Sequence, residues 1–123
     1  MFSFYRILLT LFGGFEFVTN LFYLFRHDGV ILAYRQHREL PAYVSHRRMR
    51  IKIVTMLLVG LMFLLAAGWA WYAGTQAVNG IRVSLTLYAL LTLGEAVAHR
   101  RHNLAWALAV LVTVLALLSW LLL

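Results

Sequence analysis

The sequence predicts an all-helical, polytopic integral membrane protein folded as a compact bundle of four transmembrane helices. Three observations point there. Of 123 residues, 63% are hydrophobic and only 12% are charged, whereas a soluble domain is about half apolar and about a quarter charged. The apolar residues fall into four runs whose lengths approach the roughly 20 residues that a helix needs to cross about 30 Å of hydrocarbon. Basic residues collect between those runs, seven of the eleven Lys and Arg lying from Arg26 to Lys52. The runs are too continuously apolar for barrel strands, and backbone groups in lipid must be satisfied within the segment. Residues 1–123 leave room for a single membrane domain only.

The first span is expected at about residues 4–25, a Phe-rich run containing Gly13, Gly14, Glu16 and Asn20. A basic cluster follows it instead of a small-residue cleavage site, so it reads as a retained span and not as a signal peptide. The loop 26–52 holds the only proline. Within it, Val30, Ile31 and Tyr34 fit one face of a short helix, with Arg35 and Arg38 on the other. Leu40-Pro41 breaks that helix, and proline suits a first helical turn. A second helix is thus expected to run from about Pro41 through Arg47, Arg48, Arg50 and Lys52 into span two, about 53–73, which ends in Trp69, Trp71 and Tyr72 at an interface. Gly74, Asn79 and Gly80 mark a turn into span three, about 83–98. The cluster His99-Arg100-Arg101-His102-Asn103 closes it, and span four, about 104–123, carries no ionisable side chain.

Orientation follows from the positive-inside rule for short loops. Loops 26–52 and 99–103 hold nine of the eleven Lys and Arg, and only Arg6 and Arg82 lie toward the other side. Those loops are expected in the cytoplasm and both termini outside, in a bacterial plasma membrane. The absence of cysteine excludes disulfides, thiolate nucleophiles and sulfur-ligated metals. A net charge of +7 placed beside spans points to anionic lipid headgroups and not to nucleic acid. Arg35, Arg38, Arg47, Arg48, Arg50, Lys52, Arg100 and Arg101 are the candidates for binding anionic lipid or a partner.

Polar residues recur at three-or-four spacing on span one (Thr10, Gly13, Glu16, Asn20, Tyr23) and on span three (Ser84, Tyr88, Thr92, Glu95). Each set shares one helical face, and the two stripes are expected to face each other. Glu16 falls near mid-membrane, where a charged carboxylate costs at least about 2.5 kcal/mol. No cation lies at its depth in the spans. It is expected to be a neutral carboxyl bonded to Thr10, Asn20 or Thr113, a proton or cation site, or a contact to another chain. Glu16, Asn20, Tyr23, Thr92 and Glu95 therefore form the candidate intramembrane proton or docking site. Glu95, His99 and His102 would share a face if the helix continued past Ala98. That is a weak zinc-type pattern with Arg100 and Arg101 interleaved, so no metal and no cofactor are expected. Ala66, Ala70 and Gly74, and Ala105 and Ala109, are small residues spaced for close helix approach.

No Gly-rich phosphate loop, catalytic triad or pair of carboxylates at one depth is present, which disfavours catalysis. The leading expectation is a small non-enzymatic accessory, assembly or regulatory subunit docked on a larger membrane complex. The alternative is a homo-oligomeric, proton- or cation-coupled transporter or channel that uses Glu16.

Overall fold

A computed structural model describes all residues, 1–123. The chain is helical throughout: α1 (Phe2–Phe25), α2 (Gly29–Gln36), α3 (His46–Ala73), a 3-10 turn (Gly74–Ala77), α4 (Val78–Ala98) and α5 (Asn103–Leu122). Three helical runs are long and apolar enough to cross a membrane, namely Phe2–Phe25, His46–Ala98 and Asn103–Leu122. The middle run is bent back on itself. At about 1.5 Å per residue a straight helix would hold Lys52 and Glu95 about 65 Å apart, yet their side chains meet at 2.6 Å. The reversal falls at Gly74, whose φ of 62° is the one positive value in the chain and belongs to a backbone region that only glycine occupies without strain.

Helix α1 buries one stripe, Tyr5, Leu9, Gly13, Glu16 and Asn20, at spacings of three and four. Its other faces present Phe4, Ile7, Leu11, Phe15, Val18 and Phe22 outward, an apolar surface suited to lipid. The stripe packs along α3, and α5 packs along α4, while α1 and α4 touch little. Helices α1 and α3 come close at Gly13 and Gly60, where a Cβ on Gly60 would lie 2.6 Å from the Phe17 nitrogen. Leu8, Phe12, Phe63, Tyr88, Val112 and Leu115, drawn from α1, α3, α4 and α5, line an apolar cavity of about 130 Å³. Tyr5 adds a tie by donating its hydroxyl to the Leu115 carbonyl at 2.7 Å.

At the N-terminal end of α1, cations sit against aromatic rings. Arg6 lies 3.8 Å above the Trp71 ring, and the Trp71 indole donates to Thr10 at 2.9 Å. Arg82 faces Trp120, whose indole donates to Thr86 at 2.8 Å. Such rings settle where one end meets lipid and the other meets headgroups.

The opposite end is closed by α2 and the segment 37–45. A small core of Ala33, Leu40, Val44, Met49 and Ile53 holds them on α3, with Tyr23, Val30 and Tyr34 packed against it. The Tyr34 hydroxyl donates to the Val44 carbonyl. Helix α2 forms where the amphipathic pattern places it, but Ile31 is exposed along with Arg35. The helix expected from Pro41 begins instead at His46. Ser45 caps it by accepting from the Arg48 amide at 3.2 Å, a residue type better suited than proline to satisfying the free amides of a first turn.

Candidate functional site

Beneath the basic loop lies a continuous buried polar network that draws on α1, the end of α2, segment 37–39, α3 and α4. The phase of α1 turns Glu16 and Asn20 inward. Asn20 donates from Nδ2 to the Glu16 carbonyl at 2.7 Å and to Glu16 Oε2 at 2.8 Å. Gln36, the last residue of α2, donates to the same Oε2 at 3.2 Å and accepts from the Tyr23 hydroxyl at 2.5 Å. The chain then leaves α2 and directs His37 inward, with Nε2 at 2.7 Å from Asn20 Oδ1 and Nδ1 at 3.5 Å from Glu39. Glu39 meets Lys52 Nζ at 3.1 Å, and Lys52 in turn donates to both oxygens of Glu95, at 2.6 and 2.9 Å.

Burial is deep, with Glu16 6%, Asn20 0%, His37 2% and Lys52 3% exposed. Its geometry fixes the hydrogens. Asn20 Nδ2 faces only acceptors, so Oδ1 faces His37, and Nε2 must carry a proton. Nδ1 faces a carboxylate, so a ring protonated on both nitrogens meets an acceptor at each. Burial pushes the Glu39 carboxyl up, but the His37 ring and the Lys52 charge outweigh it and hold Glu39 down at about 2. All three glutamates of the chain are thus in one network with two bases.

Several expectations change. Glu16 has its partners within the chain, Asn20 and Gln36, and not Thr10 or Thr113. Thr10 donates to the Arg6 carbonyl at 2.7 Å, and Thr113 lies on α5 with its hydroxyl unpartnered. The His37 ring reaches the neighbourhood through Asn20. The polar stripe of α1 faces the end of α2 and segment 37–39 and not the stripe of α4. Thr92 is not bonded into the network and donates to the Ala89 carbonyl at 2.9 Å, whereas Glu95 joins it through Lys52. Lys52 was grouped with the surface cations but is buried between two carboxylates.

The weak metal pattern does not assemble. Helix α4 ends at Ala98, Glu95 is turned to Lys52, and the His102 ring donates to the Arg38 carbonyl at 2.5 Å. No three His, Asp or Glu side chains come together to hold an ion. Gln36, His37 and Glu39 are the members that sequence reasoning missed. They lie in a stretch that reads as a charged loop, and its one available signal was the apolar Leu40 and Val44 beside them.

Outside the network, Arg35, Arg38, Arg47, Arg48, Arg50, Arg100 and Arg101 are all exposed. None is within ion-pair distance of a carboxylate, because the glutamates are used inside and Asp28 pairs with Arg26 at 2.7 Å. Comparison with protein-family models, with curated proteins and with solved structures finds no match.

Proposed function

We propose that this chain is a small, non-enzymatic membrane subunit, a four-span bundle with both termini outside, that docks a larger membrane complex through its basic cytoplasmic face. The observation that carries this reading is the division of charge. Every glutamate is held inside, Glu39 and Glu95 on Lys52 and Glu16 on the amides of Asn20 and Gln36, while seven arginines stand exposed without an acid partner. A surface left with one sign of charge attracts acidic partners and anionic headgroups. Four spans in so few residues also enclose little volume, which suits a protein completed by another. Glu16 is not a docking group in this reading, since its carboxylate is committed within the chain.

The test is the intact mass of the complex extracted in mild detergent, with co-purifying chains identified. A stoichiometric larger partner that is lost from the R47Q/R48Q/R50Q variant supports the reading. A chain that stays alone, or a partner indifferent to the three arginines, sinks it.

A second reading is favoured by one specific observation, the unbroken hydrogen-bonded path from Glu16 to the segment 37–39. In it, a homo-oligomer moves a proton or cation, with Glu16 as the titrating site. Against it stands the cavity lined by Leu8, Leu9, Phe12, Phe63 and Leu85, in which Tyr88 brings the only hydroxyl. Proteoliposomes under a pH gradient decide: flux that disappears in Glu16→Gln favours transport, and no flux in the parent protein removes it.

A further inference from the structure

A cleft of about 580 Å³ opens between the turn at Pro41–Tyr43 and the connection from α4 to α5, and its walls include His99, Arg100, Arg101 and His102. We infer that this cleft binds a phosphate group, presented by the headgroup of an anionic phospholipid. No carboxylate lines it, and the two nearest in sequence, Glu39 and Glu95, are both held on Lys52. Two guanidinium groups, with the His99 ring whose Nε2 has no partner in the chain, are a donor set matched to phosphate, because the planar fork of arginine offers paired N–H groups to adjacent oxygens.

The cleft is held in shape from behind. The Trp106 indole donates to the Arg100 carbonyl at 2.8 Å, the His102 amide donates to the His99 carbonyl at 2.9 Å, and the His102 ring is fixed on Arg38. Tyr43 supplies the facing wall, with its ring 6.3 Å from that of His99.

Position in the fold selects the source of the phosphate. The connection directly precedes α5, which is long and apolar enough to cross a membrane, so the cleft lies at the headgroup end of that helix. Val97 and Leu104, both exposed, flank it with apolar surface, along which acyl chains of the same lipid would continue. The proposal is independent of docking to a larger complex, because it concerns Arg100 and Arg101 and not the arginines before α3.

The experiment is native mass spectrometry of the full chain in mild detergent, titrated with short-chain phosphatidylglycerol or phosphatidylcholine. Phosphatidylglycerol is expected to be preferred, and R100Q/R101Q to lower its affinity about tenfold or more. The R47Q/R48Q/R50Q variant removes one more charge and is expected to lower it less. An equal or larger loss in that variant, an unchanged affinity in R100Q/R101Q, or equal binding of phosphatidylcholine overturns the site. Displacement of the lipid by inorganic phosphate, beyond that caused by chloride at equal ionic strength, assigns the cleft to free phosphate and overturns the lipid as its source. All five arginines are exposed, and an unchanged thermal midpoint shows that the variants keep the fold.

Discussion

Lys52 holds two carboxylates at once, Glu39 at 3.1 Å and Glu95 at 2.6 Å, and Glu95 has no other ion-pair partner. Breaking a buried ion pair by removing one partner costs about 3–5 kcal/mol, since the other charge is left uncompensated. Lys52→Met is therefore expected to lower stability by that amount in detergent unfolding. Adding Glu39→Gln and Glu95→Gln to it should restore most of the loss, and a triple variant as unstable as the single one would show that Lys52 acts through packing instead. The phase of Lys52 was present in the sequence, because Met49, Lys52, Ile53 and Met56 fall on one buried face of α3. It was masked by the arginines beside it, which made the residue read as one more surface cation. Glu39 supplies a pH test. Its carboxyl is held at about 2 in the fold against 4.5 ordinarily, so its contribution is fully present above about pH 4.5 and is lost as pH falls toward 2. That gap corresponds to about 3 kcal/mol. Thermal midpoints measured from pH 6 to pH 2 should fall less steeply for Glu39→Gln than for the parent, and parallel curves would remove Glu39 from the linkage.

At the scale of elements, the crossing of α1 and α3 depends on two glycines. A methyl on Gly60 would meet the Phe17 nitrogen at 2.6 Å and the Gly13 oxygen at 2.9 Å, and backbone atoms cannot swing aside as a side-chain tip can. Gly60→Ala is expected to push the helices apart and cost about 1–3 kcal/mol. Gly68, on the same helix with nothing within 4 Å of an added Cβ, is the control. There Ala should be neutral or mildly stabilising, because it is the better helix former. Equal effects at the two positions would mean that close packing is not what holds α1 on α3. Small residues in α1 were legible from Gly13 and Gly14, but their partner was not. Spacing rules pointed to Ala66, Ala70 and Gly74, since Gly60 stands alone among large residues and its role appears only when α1 lies across it. The segment 37–45 was harder still. Hydropathy reports what a window does on average, and a window holding Arg35, Arg38 and Arg47 conceals that His37 and Glu39 turn inward between them.

For the whole molecule, hydropathy and charge located the helices because both are set by the surrounding lipid and need no tertiary detail. The remaining question is how many times the chain crosses. The 53-residue run His46–Ala98 would span about 80 Å if straight, far more than a bilayer, and the contact between Lys52 and Glu95 requires it to double back at Gly74. If that run crosses twice, α1 and α5 would put the termini on one side, the arrangement that the positive-inside distribution predicts. A chain without cysteine makes this directly measurable, since one introduced thiol is a unique reporter. Ser3→Cys, Gln76→Cys and Leu122→Cys are each expected to react with an impermeant maleimide applied from outside the cell. Tyr43→Cys should react only after the membrane is opened. Three crossings would instead leave Ser3 and Leu122 on opposite sides, and a Gln76 thiol protected from both sides would mean that the turn after Gly74 does not reach the surface. The Gln76 thiol separates two spans from one long tilted run, because only a true hairpin brings residue 76 to the same face as both ends of the chain.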